Sequence, residues 1–69
     1  MTVTEFTRMD NGGVMYKLVD ATRQGHLTDP NGAVLLGGVD KNVARVRYGN
    51  YTVTSFDVTA KNRITLHIK

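Results

Sequence analysis

The chain has 69 residues, nine Lys and Arg against six Asp and Glu, and no Cys. That size holds one small domain that buries only about 60% of the surface its unfolded form exposes. The missing thiols exclude disulfides, zinc-finger and Fe–S ligation and thiol catalysis, and point to the cytoplasm, because so small a secreted domain is normally stapled. The N-terminus has no apolar h-region of a signal peptide, and no apolar run approaches the roughly 20 residues of a membrane span.

Four short turns punctuate the sequence: Asp10-Asn11-Gly12, Asp29-Pro30-Asn31-Gly32, Gly49-Asn50 and Ala60-Lys61-Asn62. Gly and Asn tolerate positive φ, and each cluster lies between runs that read as strands. The expectation is therefore consecutive hairpins. The first pairs residues 3–9 with 13–20, bringing Phe6 to Tyr16 and Glu5 to Lys17. Residues 14–23 also fit a helix, with Val14, Leu18 and Ala21 on one stripe; their β-branched and aromatic content and the preceding glycines favour the strand.

The second hairpin has the Asp, Pro and Gly positions of a type I turn. It joins a strand near 25–29 to Ala33-Val34-Leu35-Leu36, a run apolar on both faces that reads as a central strand buried on two sides. Gly37-Gly38 then predicts a bulge or sharp bend. In the third hairpin, Gly49-Asn50 sets Tyr48 opposite Tyr51, Val46 opposite Val53 and Ala44 opposite Ser55. Arg45 and Arg47 then share the other face with Thr52 and Thr54. The fourth hairpin places Asn62 in the left-handed region, Val58 opposite Ile64 and Phe56 opposite Leu66, with Asp57 and Ser55 facing Thr65 and His67. The predicted fold is all-β: an antiparallel meander of six or seven short strands without substantial helix. It closes into a barrel or sandwich of OB-like or SH3-like size.

No pattern indicates an enzyme, a metal site or a cofactor. Ser55, Asp57 and His67 converge in the fourth hairpin, but a flat hairpin supplies neither the pocket nor the oxyanion hole that acyl transfer needs. Gly12-Gly13 lacks the Lys-Ser/Thr of a phosphate-binding loop, and His26 reads as a polar residue beside a turn. The uneven charge is more informative. Residues 1–40 carry three basic side chains against five acidic, a balance of −2; residues 41–69 carry six against one, a balance of +5. Lys41, Arg45, Arg47, Lys61 and Arg63 form the expected phosphate contacts of a nucleic-acid-binding module for DNA or RNA, with Tyr48 and Tyr51 placed to stack on bases. The solubilising effect of a charged surface is the plainer account of the same residues. The alternative function is a protein-interaction or assembly module, such as a small inhibitor or a structural subunit of a phage or mobile element. A chain this short, rich in strand edges, gains from a partner, and a homo-oligomer is the simplest form of one.

Overall fold

The computed structural model describes residues 1–23 and 34–69. The expected Asp29–Gly32 turn, the strand near 25–29 and His26 lie outside the described residues. In chain order the elements are α1 (Val3–Thr7), β1 (Met15–Asp20), a short 3-10 turn (Ala21–Arg23), β2 (Val34–Val39), α2 (Lys41–Tyr48), β3 (Val53–Ala60) and β4 (Arg63–Ile68).

Among the described residues the sheet has four strands in the order β2-β1-β4-β3, open and not closed into a barrel. Nor is it a meander: β4 inserts between β1 and β3, running parallel to β1 and antiparallel to β3. Both helices cover one face. Tyr16 and Leu18 of β1 and Leu66 and Ile68 of β4 point to that face and are fully buried, under Val3 of α1 and Ala44 of α2. Strand alternation sends Lys17, Thr65 and Asp57 to the opposite, open face.

Two expected strands are helices. Residues 3–7 form α1 because Thr2 and Glu5 make a capping box: the Thr2 hydroxyl accepts the Glu5 N–H at 3.2 Å, and the Glu5 carboxylate accepts the Thr2 N–H at 2.9 Å. Those bonds to Thr2 also hold the exposed Glu5 carboxyl below its ordinary pKa. The first turn is therefore not a hairpin. It joins α1 to β1, with Asp10 Oδ1 accepting the Gly12 N–H at 2.6 Å and both Gly12 and Gly13 at positive φ.

Residues 41–48 form α2 in place of the first arm of the third hairpin. Asp40 is its N-cap, its carboxylate accepting the Val43 N–H at 2.9 Å, and Gly49 closes it by donating to the Arg45 carbonyl. The two helices satisfy each other's ends. The Val3 and Thr4 N–H groups at the start of α1 donate to the carbonyls of Tyr51 and Gly49, at 2.9 and 3.1 Å.

The remaining strand expectations fare better. Residues 15–20 form β1, not a helix. β2 contains the expected run from Val34, with half-buried residues from Val34 to Leu36, and among the described residues it lies at the edge of the sheet, not at its centre. An extra residue falls in β2 between the Tyr16–Val39 and Leu18–Leu36 pairs, a bulge at Gly37-Gly38 with Gly38 at φ 64°. The fourth hairpin has the predicted register: Val58 faces Ile64, Asp57 faces Thr65, Phe56 faces Leu66 and Ser55 faces His67, with Asn62 at φ 61°.

Candidate functional site

The expected basic face of the third hairpin does not form. On a helix, residues two apart point to nearly opposite sides. Arg45 therefore turns inward, where its Nε donates to Thr7 Oγ1 at 2.7 Å, while Arg47 remains exposed on the outer side of α2. Lys41, one turn before Arg45, also faces α1; its Nζ donates to the Asp10 carbonyl at 2.6 Å. Two of the five basic candidates thus brace α1 and its following turn. Thr7, the one buried polar side chain among the described residues, donates to the Val3 carbonyl at 2.9 Å and accepts from Arg45.

Four candidates lie along one stretch of chain, although the Arg45 and Arg47 side chains leave it in opposite directions. Arg45, Arg47, Tyr48 and Tyr51 line a cleft of about 170 Å³ at the C-terminal end of α2, together with Thr4. The Tyr48 and Tyr51 rings meet edge-to-face, with centroids 5.0 Å apart and planes at 78°. Tyr48 packs against the core and Tyr51 is 44% exposed. Lys61 and Arg63 belong elsewhere. They sit at the β3–β4 turn, whereas Tyr51 and Thr52 lie beside Lys69 beyond the far end of β4. At about 3.3 Å per residue, those strand ends are about 16 Å apart.

The more developed concavity is apolar. An open hollow of about 390 Å³ lies between α1, the α1–β1 connection and the β3–β4 hairpin. Phe6, Val14, Phe56 and Ile64 form its walls, and Met1 and Met9 stand at its margin. The Phe6 and Phe56 rings meet at 5.0 Å, edge-to-face. The hollow exists because the helices cover the sheet over β1 and β4 but leave the helix-side face of β3 uncovered. Phe56 is consequently 53% exposed and Val58 67% exposed, although their cross-strand partners Leu66 and Ile64 belong to the core or pack on it.

Among the described residues, polar side chains line this hollow only at Asp10 and Tyr16. The Tyr16 hydroxyl donates to Asp10 Oδ2 at 3.1 Å. Burial, and then the adjacent Asp10 carboxylate, push the phenol up to about 12.

On the open face, His67 Nε2 lies 3.0 Å from Asp57 Oδ2, so the proximity expected from the hairpin register is present. Among the described residues no three His, Asp or Glu side chains cluster as metal ligands, and no helix is long and apolar enough to cross a membrane. The cross-strand pairings expected of Phe6 with Tyr16 and Phe56 with Leu66 imply no such hollow. The Thr2-x-x-Glu5 capping box marks the start of α1 in the sequence but not its length. No protein-family model matches the chain, and neither a curated protein nor a solved structure is significantly similar to it.

Proposed function

We propose that this chain is a non-enzymatic protein-interaction or assembly module that docks a partner protein over the apolar hollow and the uncovered face of β3. One observation carries the reading. Met1, Met9, Phe56 and Val58 are 68%, 87%, 53% and 67% exposed around or beside one concavity, while just six hydrophobic side chains among the described residues are fully buried. Single exposed apolar side chains are ordinary on a protein surface, but a contiguous patch around a hollow marks an interaction site. Flexible Met side chains at the margin suit a surface that repacks on a partner. The test is a photo-crosslinking amino acid at position 56, compared with one at position 17 on the open face, in the cell that makes the chain. Protein adducts at position 56 and none at position 17 are the expected result. Adducts with nucleic acid, or equal labelling from both positions, would remove this reading.

A second reading is nucleic-acid binding at the C-terminal end of α2. It is favoured by Arg45, Arg47, Tyr48 and Tyr51 lining one cleft. In this reading Arg47 contacts phosphate and Tyr51 stacks, while Lys41 and Arg45 position α1 and Lys61 and Arg63 form a separate, weaker contact. Log affinity for mixed oligonucleotides would then fall linearly with log salt, and Arg47→Ala would flatten the slope by somewhat under one unit. Absence of binding by the wild type near physiological salt excludes it.

A further inference from the structure

We propose that the partner at β3 is a second copy of this chain, paired edge to edge about a two-fold axis beside Phe56. The inference rests on the docking-face reading above and specifies its occupant. Among the described residues, β3 is hydrogen-bonded to β4 on one side and terminates the sheet on the other. Natural edge strands are usually blunted by Lys, Pro, bulges or brevity. The stretch Thr54-Ser55-Phe56-Asp57-Val58-Thr59 has no Lys, Arg, Pro or Gly and a single charge, Asp57. The opposite edge among the described residues, β2, is interrupted within its length by the Gly37-Gly38 bulge and a second register shift, whereas the irregularities of β3 lie near its two ends. On β3, Met1 and Thr2 already cover the outer edge at its start, where the Val53 N–H donates to the Met1 carbonyl at 2.7 Å. Register shifts also separate Val53 from Ser55 and Val58 from Ala60. The regular free segment is therefore Ser55 to Val58.

Charge selects the register. In a two-fold pair that continues the sheet with both copies' helices on the same face, directly opposed residues share a face. Each allowed register is then centred on one residue meeting its own copy. Centring on Asp57 sets the two carboxylates against each other as direct cross-strand neighbours, which opposes pairing. Centring on Phe56 sets each Asp57 against the other copy's Ser55, whose hydroxyl can donate to the carboxylate. Val58 then meets Thr54, and the two Phe56 rings meet on the axis. The uncovered apolar strips of the two copies join, so the hollow beside Phe6 continues across the interface. The electrostatic fit thus selects one arrangement, in which the two sheets become one.

Sedimentation equilibrium of the full chain at high micromolar concentration tests the proposal. The expected mass is twice 7.6 kDa. Ser55→Asp places like charges across both symmetric contacts and should raise the dimer Kd roughly tenfold. Adding Asp57→Lys to Ser55→Asp makes those contacts attractive and should restore the dimer. Both positions are exposed, and circular dichroism of each variant confirms that the fold is retained. A wild type that stays at 7.6 kDa overturns the pairing. If that monomer still yields protein adducts from position 56, the docking-face reading stands and the self-pairing alone has failed. A dimer indifferent to Ser55→Asp, or one that the double variant does not rescue, overturns the Phe56-centred register.

Discussion

Arg45→Ala should destabilise the protein by about 1.5–3 kcal/mol, the usual range for a hydrogen bond involving a charged group, whereas Arg47→Ala should stay within about 0.5 kcal/mol. The difference follows from the helix. Arg45 lies half-buried between α2 and α1, with its Nε 2.7 Å from Thr7 Oγ1. Truncating it also removes the packing of its methylene stem and leaves the buried Thr7 oxygen without that donor. A chain of 69 residues has a total stability of roughly 3–10 kcal/mol at 0.05–0.15 kcal/mol per residue. Arg45→Ala therefore consumes a large part of it and multiplies the unfolded fraction by roughly 10–100 at about 1.4 kcal/mol per decade. Urea unfolding followed by far-ultraviolet circular dichroism measures both variants. A double-mutant cycle with Thr7→Val isolates the pair, and a coupling of at least about 0.5 kcal/mol is expected for residues in direct contact. Equal urea midpoints for Arg45→Ala and Arg47→Ala would refute the inward placement of Arg45 and, with it, the helical state of residues 41–48. The same result governs binding experiments. Arg47→Ala is the clean probe of the basic cleft, because loss of binding in Arg45→Ala would include loss of fold.

Leu66→Ala should cost roughly 2–5 kcal/mol, because the residue is fully buried and the small core cannot collapse around the cavity. Phe56→Ala, at a half-exposed edge position, should cost only about 1–2 kcal/mol at concentrations where the chain is monomeric; chemical denaturation of dilute samples ranks the two. Gly49→Ala should destabilise more than Asn50→Ala, because a Cβ at position 49 would press into the Arg45 carbonyl oxygen and lie 2.7 Å from Thr4 Oγ1; comparison of their Tm values checks this. Stability should fall as pH rises from about 10 to about 12, since the Tyr16 phenol is raised from 10.0 to about 12 in the folded protein and holds its proton there after the unfolded chain has lost it. Tyr16→Phe should flatten that part of the pH–stability curve.

Local chemistry alone determined the fourth hairpin. Its turn, the left-handed Asn62 and four cross-strand pairs are visible in the sequence because the turn and the alternation of Phe56, Val58, Ile64 and Leu66 demand the same register. The Gly37-Gly38 bulge and the strand character of residues 15–20 were legible for the same reason. The helices were not. α2 carries Lys41, Ala44, Arg45 and Tyr48 on its inner side and leaves Val43 and Val46 exposed. Its apolar pattern is thus inverted, and the alternation of Ala44, Val46 and Tyr48 with two arginines imitates a half-buried strand. The caps at Asp40 and Gly49, and at Thr2 with Glu5, marked both helices, but such local signals contribute only about 1 kcal/mol each and compete with every other reading of the same residues.

Tertiary structure decided between those readings. The parallel pairing of β4 with β1 leaves one broad face of Tyr16, Leu18, Leu66 and Ile68 to be covered, and α1 and α2 cover it while satisfying each other's end groups. That choice turns Lys41 and Arg45 into braces between elements distant in sequence and divides the basic residues between two ends of the molecule. It also leaves the helix-side face of β3 bare. The position of a charge along the chain is a property of the sequence, but the surface to which it belongs depends on which segments bury their backbones together. That is a balance of many long-range contacts rather than of any one turn.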